Sequence, residues 1–414
     1  MPRRSFLPLA AVALALAGCG ESSSNSATRT SAAAGSGPAT TTVNATGAPF
    51  LAPLTSVSTV TSTVPANGDL NPYGIAVVPS SIGKLHAGEL LVSNFNDKAN
   101  NRGTGTTIVQ LTPGGKASLF ARITARSLPG DCPGGVGLTT ALTVVPGGYV
   151  IVGSLPTTNG KSATASFGCL IVLDSDGRPA GTITGREIQG PWDMTSVTRG
   201  STTTLFVSMV LNGGAAKGVH TIDNSTVLRI RLSSAGDYPP KVLDEQVIAD
   251  AIPWRDDPTA LVIGPTGMAL GGNGSLYVAD TLVDNRIAAI PHAMTRTTPA
   301  PDGGSTVSEG DHLKQPLGLA LAPNGDVLTT NAGDGNIVET APSGQQLLTR
   351  TADEKTGAGS LFRMVVAASS IYYVDDGDNT LKLLHGASAT PSQSLLLAAS
   401  EACGPRPRTG GEAR

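Results

Sequence analysis

The feature that most constrains the fold is a short pattern of strands and turns that recurs along most of the chain. In its clearest copy, residues 264–290, two apolar segments flank the glycine-rich turn Gly271–Gly274, and a polar loop then leads to a third apolar segment. Each segment has the composition of a short β-strand. A unit this small cannot bury its own apolar faces, so neighbouring copies must cover them.

Six copies can be aligned on a marker residue, the one just before the first strand. The spacings between successive markers are 67, 52, 74, 51 and 45 residues, close to the length of a four-stranded propeller blade with insertions. The pattern predicts an all-β chain, a six-bladed β-propeller of four-stranded antiparallel blades, whose radial closure protects the strand edges. Seven blades are the alternative if Val242–Ile263 forms one. The markers are Gly74, Ala141, Asp193, Gly267, Gly318 and Arg363.

Residues 264–290 and 315–340 share the motif x-Pro-x-Gly-[Ile/Leu/Met]-Ala before the first strand. Residues 264–290 also contain Gly-x-Leu-Tyr-Val-Ala-Asp and Asn-Arg-Ile. Here the chain resembles the NHL-repeat propellers and, more distantly, gluconolactonase and streptogramin-lyase-like propellers. The resemblance covers residues 67–400 and implies the propeller fold, whereas one such scaffold hosts many activities. It also implies that Asp280, with Asn285 and Arg286, stabilises its blade.

The start of the chain carries a targeting signal, which is excluded from the fold. Two arginines precede the apolar run Phe6–Ala17, and Leu16-Ala-Gly-Cys19 resembles a bacterial lipoprotein cleavage box. Residues 1–18 are predicted to be a lipoprotein signal peptide that leaves Cys19 acylated, with an ordinary secretory signal as the alternative. Because Arg3-Arg-Ser-Phe-Leu7 also resembles a twin-arginine signal, the export route stays open. We expect a membrane-anchored, exported protein, in the outer membrane if the cell is Gram-negative.

Composition divides the remaining chain. Residues 19–50 are rich in Ser, Thr, Ala and Gly and predict a flexible tether. Residues 51–400 are assigned to the propeller, and residues 401–414 to a loose tail. Residues 55–64 alternate Val with Ser and Thr, which predicts a strand that completes the last blade and latches the ring. Leu395–Leu397 competes for the same edge.

Charge and cysteine content exclude several classes of function. The chain has 28 Lys and Arg against 31 Asp and Glu, without a basic run or aromatic–basic interleaving, so no nucleic-acid partner is expected. No second apolar stretch could span a membrane, and the domain is expected to be a monomer. Cys132 and Cys169 lie in one predicted blade and are predicted to pair after export, which leaves Cys403 over. The histidines show no zinc or haem spacing.

Candidate binding residues lie in two sets of loops that a propeller brings to one face, around the channel mouth: those entering strand one and those leaving strand two. Oxygen-rich loops of this kind can hold a hard cation such as Ca²⁺. Asp and Asn at strand ends also stabilise turns, which is the structural alternative. The candidates are Tyr73, Trp192, Asp193, Phe362 and Arg363 from the first set and Asn94, Asp280, Asn331 and Asp375 from the second.

Asp193 and Arg363 are distinctive because they replace a small marker residue. Copies three and six face each other in a six-membered ring, so each charge should point into the channel or be paired. Trp192, Tyr73 and Phe362 beside the markers predict a mouth with aromatic walls, as in a pocket for a small ligand or peptide. The alternative is that these rings only plug the channel.

These features favour a non-enzymatic binding or scaffold protein that takes a protein, peptide or small ligand at the channel mouth. No nucleophile–base pair is visible, and no catalytic residue is assigned. The alternative is a calcium-dependent gluconolactonase-like hydrolase, although the Glu that this resemblance implies in the first strand is missing. A streptogramin-type lyase would need a general base that the sequence does not offer. Residues 254–258, in an insertion, could form a lid or contact a partner.

Overall fold

The computed structural model describes residues 47–213, 221–234, 238–258, 260–353, 360–367 and 369–387. These residues form a six-bladed β-propeller of antiparallel sheets, which confirms the predicted fold class. The signal peptide, Cys19, most of the tether, Leu395–Leu397 and the tail lie outside the described residues. In the described part of the chain, no helix is long and apolar enough to cross a membrane.

Each blade begins with its innermost strand and ends at the outer edge of the ring. Strand β1 (Ser56–Ser62) precedes the blades. Blade 1 contains β2 (Leu70–Val77), β3 (Leu90–Asn96), β4 (Thr107–Leu111) and β5 (Ala117–Arg122); blade 2 contains β6 (Leu138–Val145), β7 (Tyr149–Ser154), β8 (Cys169–Leu173) and β9 (Pro179–Ile183); blade 3 contains β10 (Pro191–Arg199), β11 (Thr202–Met209), β12 (Ile222–Ser233), β13 (Lys241–Asp257) and β14 (Leu261–Ile263). Blade 4 contains β15 (Pro265–Leu270), β16 (Leu276–Asp280), β17 (Arg286–Ile290) and β18 (Ser305–Glu309); blade 5 contains β19 (Pro316–Leu321), β20 (Val327–Asn331), β21 (Asn336–Thr340) and β22 (Gln346–Thr351); blade 6 contains β23 (Leu361–Ala367), β24 (Ser370–Asp375) and β25 (Thr380–His385). Short 3-10 helices lie at Ala125–Ser127, Pro146–Gly148, Ser162–Thr164 and Pro301–Gly303.

The N-terminal strand closes the ring. Strand β1 pairs antiparallel with β25 and becomes the outer strand of blade 6, as predicted for residues 55–64. The residues just before β1 are held by blade 5. The Glu339 carboxylate accepts hydrogen bonds from the backbone N–H groups of Phe50 (2.7 Å) and Leu51 (2.8 Å), and Arg350 donates to the Leu51 carbonyl (3.2 Å). The first described residues therefore join blades 5 and 6.

Blade 3 differs from the others because its strand β13 is 17 residues long. This strand runs past the blade and folds back through β14 as a hairpin, with Arg255 opposite Ile263. Val242–Ile263 is therefore the outer edge of blade 3 and its hairpin, and the seven-blade alternative is wrong. Trp254 anchors the hairpin: its side chain is fully buried, and Nε1 donates to Asn224 Oδ1 at 2.5 Å.

The marker residues lie where the ladder between the first and second strands shifts register. A β-bulge at such a point bends the strand and re-aims its side chains. A Cβ atom on Gly267 would lie 2.3 Å from the Leu317 carbonyl oxygen of the next blade, and one on Gly318 would lie 2.2 Å from that of Phe362. These markers are small because they contact the next innermost strand. The shifts fall between Pro72 and Gly74, Leu138 and Leu142, Pro191 and Met194, Pro265 and Met268, Pro316 and Leu319, and Leu361 and Met364.

A buried hydroxyl on the second strand links alternate blades to their neighbours. In blade 5, Thr330 Oγ1 accepts a hydrogen bond from the Gly318 N–H (2.8 Å) and donates to the Phe362 carbonyl in blade 6 (2.7 Å). Ser93 in blade 1 and Ser208 in blade 3 make the same two contacts. Each of these hydroxyls accepts a hydrogen bond from the backbone N–H at the bulge and donates one to the next blade. A sequence pattern of apolar strands does not reveal this link.

One covalent link lies within the described residues. Cys132 and Cys169 form a disulfide with their Cα atoms 5.2 Å apart. It ties the loop between blades 1 and 2 to the first residue of β8. Cys403 lies outside the described residues.

Candidate functional site

A cavity of about 350 Å³, the mouth cavity, opens at one end of the channel. Its walls come from the loops that enter the first strands and leave the second strands of blades 1, 5 and 6, and from the hairpin of blade 3. The two loop sets therefore meet on one face, as the repeat pattern predicts. The lining residues are Leu70, Asn71, Tyr73, Asn96, Asn100, Arg102, Asp257, Ala260, Ile263, Gln315, Leu317, Ala332, Phe362, Asp376 and Asn379.

The floor of the mouth cavity belongs to an aromatic cluster of Tyr73, Phe95, Trp192 and Phe362. The Tyr73 ring stacks on Phe95 with centroids 4.6 Å apart and lies 3.9 Å from Phe362. Trp192 meets Tyr73 edge-on at 5.7 Å. Burial raises the pKa of the Tyr73 hydroxyl well above its usual range. The cluster joins blades 1, 3 and 6 across the channel, so these rings plug it and present only Tyr73 and Phe362 to the cavity.

The wall of the mouth cavity is polar and incompletely paired. Asn96 donates from Nδ2 to Asn100 at 2.6 Å, and the Asn71 backbone N–H donates to Asn379 Oδ1 at 2.7 Å. The side-chain oxygens Asn71 Oδ1 and Asn96 Oδ1 are buried and accept no hydrogen bond from the described residues. Buried polar atoms are normally paired, so these two oxygens give the wall hydrogen-bonding capacity that the described residues do not use.

Asp376 is a carboxyl group of the wall whose ionisation is strongly perturbed. Burial and, to a smaller extent, the nearby charge of Asp375 raise its pKa to about 8, against the opposing effect of Arg102. At neutral pH the carboxyl therefore keeps its proton and can donate a hydrogen bond. Arg102 supplies a guanidinium group to the same wall.

The hairpin of blade 3 covers one side of the mouth cavity. Its residues Asp257, Ala260 and Ile263 line the wall. It is held in place by the loops of two other blades: Arg102 Nη1 donates to the Pro258 carbonyl (3.5 Å), and Ser162 Oγ donates to the Leu261 carbonyl (2.6 Å). The insertion at 254–258 thus lies at the mouth, the position expected of a lid.

Asp193 and Arg363 follow Trp192 and Phe362 of the aromatic cluster in the chain but do not line the mouth cavity. They form a buried ion pair with each other. Asp193 Oδ1 also accepts a hydrogen bond from the Met194 N–H at 2.7 Å. Burial lowers the pKa of the Arg363 guanidinium to about 10. Each charge is thus neutralised by the other rather than presented to a ligand.

The carboxylates Asp280 and Asp375 have structural partners instead of cavity positions. Asp280 Oδ2 lies 3.0 Å from Arg286 Nη2, which agrees with the blade-stabilising role that the resemblance implied. Asp375 Oδ2 lies 3.0 Å from Lys382 Nζ, which also contacts Asp378 at 2.8 Å. Both aspartates are almost fully buried, so the ion pairs compensate their desolvation.

Asn94 and Asn331 are also fully buried at strand ends. Asn94 Nδ2 donates to the Thr63 carbonyl at 3.1 Å, and Asn331 Nδ2 donates to the His312 carbonyl at 2.7 Å. Both amides therefore hold loop backbone. Of the nine candidates, the structure brings Tyr73 and Phe362 to the cavity, with Trp192 packed edge-on against Tyr73.

Sequence reasoning did not select several residues of the cavity and of the aromatic cluster beside it. Phe95 is flanked by Asn94 and Asn96 in the strand-two exit, so an aromatic residue between two amides was an available signal. Arg102 and Gln315 carry no pattern that would distinguish them from other loop residues. They reach the cavity because the loops of blades 1 and 5 converge there.

The donor set of the mouth cavity bears on metal binding. Among the described residues, no three His, Cys, Asp or Glu side chains gather as metal ligands. Calcium also accepts amide oxygens, however, so Asn71, Asn96 and Asp376 match its preference for oxygen. The positive charge of Arg102 in the same wall opposes a cation.

Comparisons with known proteins identify the fold. No protein-family model and no curated protein matches the chain. A structural-genomics protein named as a gluconolactonase superposes with a TM-score of 0.50 at 14% identity, covering 82% of this chain and 96% of its own. A luciferin-regenerating enzyme gives 0.50 at 10% identity, covering 81% and 96%. Virginiamycin B lyase from Staphylococcus aureus gives 0.46 at 16% identity, covering 82% and 89%.

At these identities the likeness establishes the propeller fold and does not transfer an activity. The fold that the resemblance implied is confirmed. The assignment to NHL repeats in particular stays a prediction.

Proposed function

We propose that the mouth cavity binds a small polyhydroxylated molecule of the sugar or sugar-lactone class, and that the propeller is a binding protein for it. The observation that carries this proposal is the pair of unpartnered oxygens, Asn71 Oδ1 and Asn96 Oδ1, beside the aromatic floor of Tyr73 and Phe362. Hydroxyl groups would donate to these oxygens while an apolar ring face rests on the floor.

The charges of the cavity favour a neutral ligand. Asp376 keeps its proton at neutral pH because its pKa lies at about 8, so it donates where an ionised carboxylate would only accept. Arg102 donates as well. A wall with both donors and acceptors suits hydroxyl groups, which can do both. The name of the gluconolactonase with the similar fold agrees with this class of ligand.

Calorimetric titration tests the proposal with glucose, gluconate and glucono-δ-lactone as probes. Asn96→Ala removes one unpartnered acceptor and should weaken binding about tenfold. The matched control is Asn273→Ala, at an exposed turn of blade 4, which should bind like the wild type. Binding that survives Asn96→Ala unchanged, or no heat with any probe, contradicts the proposal.

A calcium-dependent hydrolase of the gluconolactonase type is the second candidate. It is favoured by the oxygen donors of the wall, and Asn71, Asn96 and Asp376 would hold the ion. Bound calcium polarises a carbonyl and lowers the pKa of a water molecule. The chain's own part would be to seat the lactone ring on Tyr73 and Phe362 and to orient it with Arg102.

Calcium would have to displace the proton of Asp376, so its affinity should rise as the pH passes about 8. The test compares thermal melts with calcium and with chelator at pH 7 and pH 9. A shift in melting temperature that grows at pH 9 and disappears in Asp376→Asn supports the hydrolase and justifies a lactone-hydrolysis assay. If the melting temperature does not shift at either pH, the hydrolase is contradicted and the binding protein stays as the proposed function.

We also infer that the chain is exported and anchored to a membrane by a lipid on Cys19. The cleavage box at Leu16–Cys19 supports this, and the disulfide between Cys132 and Cys169 suits an oxidising compartment. Metabolic labelling with palmitate should mark the wild type and not Cys19→Ala. Label in both, or in neither, contradicts lipidation at Cys19.

A further inference from the structure

A second concavity, the lateral groove, lies beside the mouth cavity and has a volume of about 500 Å³. Its walls are formed by residues 100–102 of blade 1, residues 159–163 of blade 2 and residues 256–258 of the blade 3 hairpin. The two concavities share Asn100, Arg102 and Asp257, so they are direct neighbours.

The walls of the lateral groove are fixed to one another. Thr157 Oγ1 donates to the Arg102 carbonyl at 2.5 Å, and Ser162 Oγ donates to the Leu261 carbonyl of the hairpin at 2.6 Å. Gly160, at φ +76°, packs so closely that a Cβ atom would lie 2.9 Å from the Arg102 backbone nitrogen. Three blades therefore preform the groove, which lowers the ordering cost of binding there.

Asp256 is the most unusual residue of the lateral groove. It is one of the residues that line the groove, it is only 7% exposed, and its Oδ1 is buried without a hydrogen-bond partner among the described residues. Burial raises the pKa of this carboxyl above its usual value. A buried acceptor without a partner destabilises the fold, so the structure alone provides no reason for it.

The lateral groove repeats the chemistry of the mouth cavity. Each contains several amide side chains, a buried unpartnered oxygen and the shared Arg102. The groove adds Lys161 as a donor and Ala163 and Pro258 as apolar surface. Two adjacent concavities of matching chemistry suit a ligand built from like units, whereas a peptide would present different side chains to each.

We propose that the lateral groove is a second subsite and that the protein binds an oligosaccharide of at least two units. One unit occupies the mouth cavity, and the next lies in the groove with its hydroxyls donating to Asp256. The chain of units passes beside the contact between Arg102 and Pro258. This inference rests on the proposed function, because the first subsite is the mouth cavity.

The test uses the full chain and a glycan array that pairs each monosaccharide with its di-, tri- and tetrasaccharide. Calorimetry on the best series then gives the ratio of monosaccharide to trisaccharide dissociation constants. We expect the trisaccharide to bind at least about tenfold more tightly, and Asp256→Asn to bring the ratio close to one. Asp244→Asn, on the same strand but paired with the exposed Arg231, is the matched control and should keep the wild-type ratio.

A thermal melt separates folding from binding. Because Asp256 Oδ1 has no partner to lose, Asp256→Asn should melt no lower than the wild type. Equal affinity for short and long saccharides, or an unchanged ratio in Asp256→Asn, overturns the second subsite and leaves the mouth cavity as the binding site. The absence of any saccharide binding overturns both.

Discussion

Asp193 and Arg363 form a buried ion pair that connects the innermost strands of blades 3 and 6, on opposite sides of the ring. Their side chains are 1% and 10% exposed. They occupy two marker positions where other copies carry Gly or Ala. The pair therefore spans the channel, and each charge balances the other.

Removing one partner should destabilise the propeller strongly. Asp193→Ala leaves the Arg363 guanidinium buried without a counter-charge, and we expect a loss of about 3–5 kcal/mol in the free energy of unfolding. The double variant Asp193→Ala/Arg363→Met should recover most of this loss, because an apolar pair replaces the ions. Urea unfolding of the wild type, of Asp193→Ala and Arg363→Met alone, and of the double variant measures both effects. Single-variant losses well under 1 kcal/mol would show that the pair does not brace the channel.

The bridging hydroxyl of blade 5 provides a second test. Thr330→Val keeps the shape of the side chain but leaves the Gly318 N–H and the Phe362 carbonyl without their partner. We expect a loss of about 1–3 kcal/mol. Thr349→Val in the same blade is the control, since Thr349 Oγ1 has no hydrogen-bond partner among the described residues, and it should be neutral. Equal losses in both variants would contradict the role of the bridge.

The disulfide should stabilise the folded chain. Cys132 and Cys169 are 37 residues apart, and closing a loop of that size is worth about 4 kcal/mol in the chain-entropy model. Reduction should therefore lower the melting temperature of the wild type. The Cys132→Ala/Cys169→Ala variant should melt near the reduced wild type and not respond to reductant. A variant with the same melting temperature as the oxidised wild type would show that the disulfide is not formed.

Asp376 should make stability depend on pH. Its pKa is raised from 3.8 to about 8 in the folded state, so the folded chain holds a proton that the unfolded chain has released. The stability that this proton confers is complete below about pH 4 and is lost as the pH rises to about 8. Urea unfolding from pH 4 to pH 9 should show that the free energy of unfolding of the wild type falls, relative to that of Asp376→Asn, as the pH rises. A constant difference would mean that Asp376 ionises normally.

The sequence predicted the features that depend on repetition. Six markers predicted six blades, and the alternating residues 55–64 predicted the latch strand that β1 forms. The two charged markers predicted charges that must be paired or exposed to the channel, and the structure pairs them. The same pattern did not show whether a polar residue at a strand end binds backbone or ligand. The local sequence around Asn94 or Asp375 is compatible with either role.

The mouth cavity and the lateral groove depend on contacts that no local pattern encodes. Asp376, Arg102 and Asp257 belong to blades 6, 1 and 3 and become neighbours only when the ring closes. The sequence by itself determined the propeller repeat, because each repeat must bury its apolar faces against the next, and the structure then decided for six blades over seven. Only the tertiary structure decided which polar side chains find partners and which, such as Asn96 and Asp256, keep an unpartnered oxygen, because pairing depends on distances between loops that are remote in the chain.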